Sequence, residues 1–99
     1  MRWGNEIGLE KSLSAIFSED FDPVSAPMDD PHVVTVLSFG ETVGAFVKHG
    51  VLDKELLRDV YWFDGMWRQV EPHALKARAL EGEPSLYTNF ESLVRTAAT

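Results

Sequence analysis

The stretch DPHVVTVLSFGETVGAFVKHG, residues 30–50, decides how the chain folds. Asp30 is a typical N-cap residue, and Pro31 suits the first helical position, whose N–H makes no helical hydrogen bond. Lys48 in the last turn and Gly50 beyond it are typical of a helix end. The apolar and small residues between them recur at helical spacing along one face: Val33, Val36, Leu37, Gly40, Val43, Gly44 and Val47. The stretch therefore predicts a long amphipathic helix.

The residues that follow predict two further helices. Asp53 is a candidate N-cap for a third helix, which Pro72 should kink and Gly82 should end. This helix carries one apolar stripe, traced by Leu56, Leu57, Val60, Phe63, Asp64, Trp67 and Val70. Pro84 is placed to open a fourth helix, which carries Leu86, Phe90, Leu93 and Val94.

The residues before Asp30 differ in character. A short amphipathic helix is predicted from Gly8 to Ser18, and residues 18–31 read as an extended acidic connector because three prolines interrupt them. No internal repeat or strand-like alternation is visible. We therefore predict an all-α fold: a bundle of three main helices over residues 32–99, the third kinked at Pro72, preceded by the helix and connector of residues 1–31.

Composition excludes several classes of function. The 99 residues carry a formal net charge of −7, which disfavours binding to nucleic acid or to an anionic membrane surface. The absence of cysteine excludes disulfides and thiolate metal sites. No apolar run is long enough to span a membrane, and the first residues do not resemble a signal peptide. We expect a soluble, cytoplasmic protein that requires no cofactor.

The ionisable residues do not form a pattern that is typical of a metal site or a catalytic site. His32, His49 and His73 lack the spacing of a helical metal site, so no metal site is predicted. Glu41 and Asp64 interrupt apolar stretches, and two acids facing one cavity could transfer a proton. The favoured interpretation places Glu41 on the solvent side and pairs Asp64 with Arg68 on the surface. We expect no catalytic residue and no enzyme.

Gly40 and Gly44 say more about the fold than the ionisable residues do, because they indicate close helix packing. Each costs about 1 kcal/mol relative to alanine inside a helix, so their presence calls for a packing reason. Spaced four residues apart, they leave a groove in which another backbone can approach closely, either within the chain or between subunits.

A second informative group is the aromatic cluster of Tyr61, Trp62, Met66 and Trp67, which widens the apolar arc of the third helix. A helix in a small bundle buries one stripe, so part of this cluster either covers the segment after Pro72 or stays exposed. Exposed Trp, Tyr and Met are typical of protein interfaces. A large core and a dry aromatic pocket for a small ligand are the alternatives.

Four motifs carry a resemblance to a known family. They are E-x-V-G at residues 41–44, K-x-G-V-L-D at 48–53, a Trp followed by a Pro at Trp67 and Pro72, and L-Y-x-N-F-E at 86–91. Together they resemble an uncharacterised family of all-helical bacterial proteins, common in actinomycetes and known as a domain of unknown function. The resemblance implies a helical fold and no activity. Many relatives carry an N-terminal transmembrane helix, a pattern from which this chain departs.

Within the closing motif, Asn89 and Glu91 could bind a ligand, although satisfying the fold's own polar groups is the favoured role. Asn89 is expected to hydrogen-bond near the Gly50 turn.

Three function hypotheses follow. The leading one is a non-enzymatic interaction or regulatory module, a homodimer or a partner of another protein, which uses the aromatic cluster and the glycine groove. The second is a small-ligand sensor with a pocket walled by Trp62, Trp67 and Phe90. The third is an enzyme using Glu41 and Asp64.

Overall fold

A computed structural model of the chain describes residues 8–95, apart from the side chain of Arg95. Within this part of the chain there are helices and turns but no strand, so the all-α prediction is confirmed. The helices are α1 (Leu9–Ile16), α2 (Pro31–Lys48), α3 (Lys54–Val60), α4 (Phe63–Glu81) and α5 (Thr88–Arg95).

Helix α2 lies at the centre of the fold. The Asp30 carboxylate caps it by accepting hydrogen bonds from the backbone N–H groups of His32, at 2.8 Å, and Val33, at 3.2 Å. Gly50 follows its end with a positive φ of 78°, a conformation that glycine adopts without strain. The two most extensive helix–helix contacts in the described chain are those of α2 with α5 and of α2 with α1.

The predicted third helix is two helices, α3 and α4, and the break lies at Tyr61 and Trp62 rather than at Pro72. Tyr61 is extended, with φ −123° and ψ 140°. Pro72 lies inside α4, which continues past it to Glu81 although an interior proline removes a backbone hydrogen bond. The break allows Phe63 to point into the core while Trp62 stays outside.

The turn before α5 also differs from the prediction. Helix α5 begins at Thr88 and not at Pro84, and residues 84–87 form turns stabilised by Ser85 and Glu83 carbonyl oxygens. Tyr87 has a positive φ of 65°, which is uncommon for a residue with a side chain.

The acidic connector lies along α4 of its own chain. Three side chains of α4 donate hydrogen bonds to carbonyl oxygens of Ile16 and of the connector. Gln69 donates to Ile16 at 2.7 Å, His73 to Pro27 at 2.7 Å and Lys76 to Val24 at 3.2 Å. His73 is itself buried, and because a carbonyl only accepts, its Nε2 carries the proton.

The hydrophobic core lies where α1, α2, α4 and α5 meet. Its largest fully buried side chains include Phe63, Phe90, Ile16, Met66 and Leu93. Because Leu9 and Ile16 of α1 belong to this cluster, the N-terminal helix shares the core of the bundle. Among the helices of residues 8–95, none combines the length and the hydropathy that a membrane span requires.

Candidate functional site

The groove at Gly40 and Gly44 is filled by α5 of the same chain. A Cβ atom on Gly40 would overlap the ring of Phe90, and one on Gly44 would overlap the backbone of Asn89. The two glycines therefore bring α2 and α5 into close contact, which is the intramolecular alternative of the sequence analysis.

Glu41 lies between these glycines and holds the first turn of α5. Its Oε1 accepts a hydrogen bond from the backbone N–H of Phe90 at 3.0 Å, and its Oε2 accepts one from Asn89 Nδ2 at 2.9 Å. A carboxylate is stabilised at the N-terminus of a helix, where free N–H groups point outward. We call Glu41, Asn89 and the backbone of Phe90 the polar joint. The prediction that Glu41 faces solvent is wrong, because both its oxygens have protein donors and its residue is half-buried.

Arg78 ties the other side of α5 to α4. Its Nη2 donates to Glu91 Oε1 at 2.8 Å, and its Nε donates to the carbonyl oxygen of Leu86 at 2.6 Å. The guanidinium also lies 5.9 Å from the ring centroid of Trp67. The Arg78 and Glu91 side chains are each 16% exposed, so this ion pair is screened less than a surface pair.

The polar joint explains why two of the motifs belong together. The E-x-V-G motif supplies Glu41 and Gly44, and the L-Y-x-N-F-E motif supplies Asn89 and Phe90, which contact them. Asn89 therefore bonds to Glu41, and its expected bond near the Gly50 turn is wrong. Only the tertiary fold joins these positions, which lie 48 residues apart in sequence.

Asp64 has a different set of partners. It pairs with Arg58 at 3.6 Å and not with Arg68 as predicted. Arg58 also donates to the carbonyl oxygen of Leu93. Glu41 and Asp64 are thus held by separate donors, and these contacts do not bring the two acids into one site.

The aromatic cluster divides between the core and the surface. Met66 and Trp67 are buried, at 2% and 6% exposure, and Tyr61 is half-buried. Trp62 is 62% exposed and stacks on Phe17, with ring centroids 5.7 Å apart and an interplanar angle of 15°.

Two neighbours on α4 support the exposed indole of Trp62. Arg68 lies over its ring, 5.6 Å from the centroid. Gly65 lies beneath it, where a Cβ atom would overlap the ring. A glycine three residues after the tryptophan was the available signal for this arrangement, and the sequence analysis missed it.

The pocket expected for a small ligand is not formed by the three predicted aromatics. Trp67 and Phe90 pack edge to face, with centroids 5.1 Å apart, and both are buried, whereas Trp62 lies outside. A shallow pocket beside Trp62 has a volume of about 40 Å³ and is lined by Arg58, Tyr61, Trp62, Phe63 and Asp64. Small-molecule sites usually have volumes of roughly 300 Å³ or more.

Helix α3 presents an apolar surface that the sequence analysis placed in the core. None of its residues is buried, and Leu56 and Val60 are 65% and 66% exposed. We call Leu52, Leu56 and Val60, which are spaced four residues apart, the α3 stripe. The prediction that Leu56 and Val60 lie on the buried stripe is wrong, because the break at Tyr61 and Trp62 separates α3 from α4, so the two helices do not share one continuous buried face. Leu57, which the predicted stripe also included, packs against the core.

Among residues 8–95, no group of three His, Cys, Asp or Glu side chains is placed to hold a metal ion. The described residues instead offer an exposed apolar stripe on α3, the exposed Trp62 two residues beyond that helix, and an internal polar joint.

Comparison with known proteins identifies the family of the chain. No curated protein and no solved structure matches it. The family model described as Domain of unknown function (DUF4760) matches residues 7–97, and the chain belongs to this family.

Proposed function

We propose that the chain is a non-enzymatic protein-interaction module that docks a second protein chain on the α3 stripe and Trp62. One observation carries the proposal: α3 buries none of its residues, yet its outer side presents Leu56 and Val60. Trp62 follows α3 by two residues and adds an exposed aromatic anchor of the kind that is enriched at interface hot spots.

The short length of α3 supports this interpretation. A helix of seven residues is unstable by itself in water and depends on tertiary contacts. Leu57, Arg58 and Tyr61 hold its inner side against the rest of the fold, whereas its outer apolar side has no partner in the described chain. Contiguous exposed apolar residues on a small domain mark an interaction site.

A second copy of the chain is the occupant expected from the sequence. If two copies associate into the homodimer expected from the sequence, they would meet on this same surface, because α5 occupies the glycine groove, and they would bind more weakly than a partner of opposite charge. The non-enzymatic part of the proposal rests on the acids: both Glu41 and Asp64 are engaged by donors of the fold.

Light scattering over a dilution series tests self-association. Trp62→Ala should lower the average mass at concentrations where the wild-type chain forms dimers, because it removes the exposed anchor without touching the core. Leu80→Ala is the matched control, since Leu80 is an exposed apolar residue of α4. A dimer that is insensitive to Trp62→Ala would contradict the proposed surface, and a monomer at all concentrations would contradict the homodimer.

A further inference from the structure

We infer that the preferred occupant of the α3 stripe is an apolar segment of another protein that is flanked by lysine or arginine, such as a cationic amphipathic helix. This inference rests on the proposed function and names the chemistry of the partner. It follows from the charges that border the stripe.

Acidic residues border the stripe along one side and at its N-terminal end. At 3.6 residues per turn, Asp59 lies about 60° around the helix axis from Leu56, with Glu55 beyond it on the same side. Asp53 precedes the helix as its N-cap, and its carboxylate accepts from the backbone N–H groups of Glu55 and Leu56. All three acids are exposed. Among the described side chains, Glu55 and Asp59 have no ion-pair partner.

The basic residues of α3 point away from the stripe. Arg58 lies on the inner side, where it pairs with Asp64 and donates to the Leu93 carbonyl oxygen. Lys54 is half-buried and lies about 160° around the axis from Leu56. Beyond the last turn of α3, Arg68 is held over the Trp62 ring. The outer side of α3 is therefore apolar along the stripe and negative along one border and at its N-terminal end.

This pattern discriminates between partners. A second copy would bring an identical acidic border against the first, and each chain carries a formal net charge of −7, so repulsion weakens a symmetric pair. Nucleic acids and anionic membranes meet the same repulsion. A segment with apolar residues at the centre and lysine or arginine at the edges matches both features of the surface.

Binding of a synthetic peptide tests the inference. The probe is a fluorescent helical peptide with leucine at every fourth position and lysine at the flanking positions, titrated with the full chain by anisotropy at several salt concentrations. Leu56→Ser should weaken binding about tenfold, since one buried leucine is worth that much or more. Leu80→Ser, an equivalent change at an exposed leucine of α4, should change the affinity less than about twofold.

A second pair of variants tests the charges. Glu55→Gln with Asp59→Asn should weaken binding and flatten its salt dependence. The control combines Glu10→Gln with Asp20→Asn, which changes the net charge by the same amount at exposed acids elsewhere. This double variant should leave the affinity for the peptide and its salt dependence nearly unchanged. Circular dichroism of all variants should match that of the wild-type chain, because every substituted residue is exposed.

Three results would overturn the inference. Equal weakening by the two double variants would show general attraction to an acidic chain. Equal binding of a peptide with glutamate in place of lysine would show that the borders do not select charge. A stable dimer that requires Leu56 and excludes the peptide would make a second copy the occupant, and would leave the proposed function intact. Absence of both peptide binding and self-association would overturn the proposed function as well.

Discussion

Glu41 shows how much a single side chain can decide in this fold. Its two oxygens accept from the backbone N–H of Phe90 and from the side chain of the preceding residue, Asn89, so it joins α2 to α5 at the glycine groove. Here the carboxylate that interrupts an apolar face caps the first turn of a distant helix. The same contact gives Asn89 its role.

Removal of the Glu41 carboxylate should destabilise the chain. We expect Glu41→Ala to lower the free energy of unfolding by about 1–3 kcal/mol, because the Phe90 N–H and the Asn89 amide lose their acceptor. Urea denaturation at pH 7 measures this difference. Glu19→Ala, which removes an exposed acid of the connector, should have an effect below about 0.5 kcal/mol. Equal stability of the two variants would argue against the polar joint.

Arg78 should be sensitive even to a conservative replacement. Lysine cannot donate to Glu91 and to the Leu86 carbonyl oxygen with the geometry of a guanidinium, so Arg78→Lys should cost about 1–2 kcal/mol. Arg68→Lys, at an exposed arginine over Trp62, should cost much less. Thermal or urea unfolding of both variants decides the comparison, and an equal cost would contradict the structural role of Arg78.

Among the helices, the contact between α2 and α5 depends most directly on individual residues of the sequence. A glycine groove can serve association between chains or packing within one, and here Phe90 and Asn89 fill it from the same chain. The pair of glycines therefore sets how closely α5 approaches.

Alanine in place of the two glycines should act unequally. A methyl group on Gly44 meets the Asn89 backbone, which can give way only if α5 itself moves, whereas one on Gly40 meets the ring of Phe90, which is fully buried but can adjust through its own side-chain torsions. Alanine also gains about 1 kcal/mol of helix propensity at either site. We expect Gly44→Ala to destabilise the chain by about 1–3 kcal/mol and Gly40→Ala by less. Chemical denaturation measures both, and the reverse order would contradict the packing described here.

At the scale of the whole molecule, stability should be unevenly distributed. Helix α2 lies in the core, whereas α3 buries none of its residues. Regions with few buried apolar contacts open at lower free-energy cost than the core. The molecule thus combines a firmly packed centre with an accessible helix at its surface.

Hydrogen exchange measured by mass spectrometry should resolve this difference. Backbone amides of residues 54–60 should exchange faster than those of residues 33–47, because α3 can open without disrupting the core. Addition of the lysine-flanked peptide should slow exchange in α3 and leave α2 unchanged. Uniform protection along the chain would contradict an independently opening α3.

Local rules determined much of the architecture. Asp30 and Asp53 act as N-caps, and Gly50 and Gly82 adopt left-handed conformations after helices, all as the sequence predicts. Capping depends on a side chain and a backbone within a few residues of each other, so it can be read from a short stretch. Hydrophobic spacing likewise identified the central face of α2.

Tertiary structure alone decided which side of each helix is buried and which groups the polar side chains bind. Leu56 and Leu57 are equally apolar and both lie on the predicted stripe, yet Leu57 packs against the core and Leu56 is exposed. The partnership of Glu41 with Asn89 spans 48 residues and is set by how closely α5 can approach α2. The physical reason is range: propensity and capping act over one or two turns, whereas burial and polar pairing depend on which distant surfaces pack together.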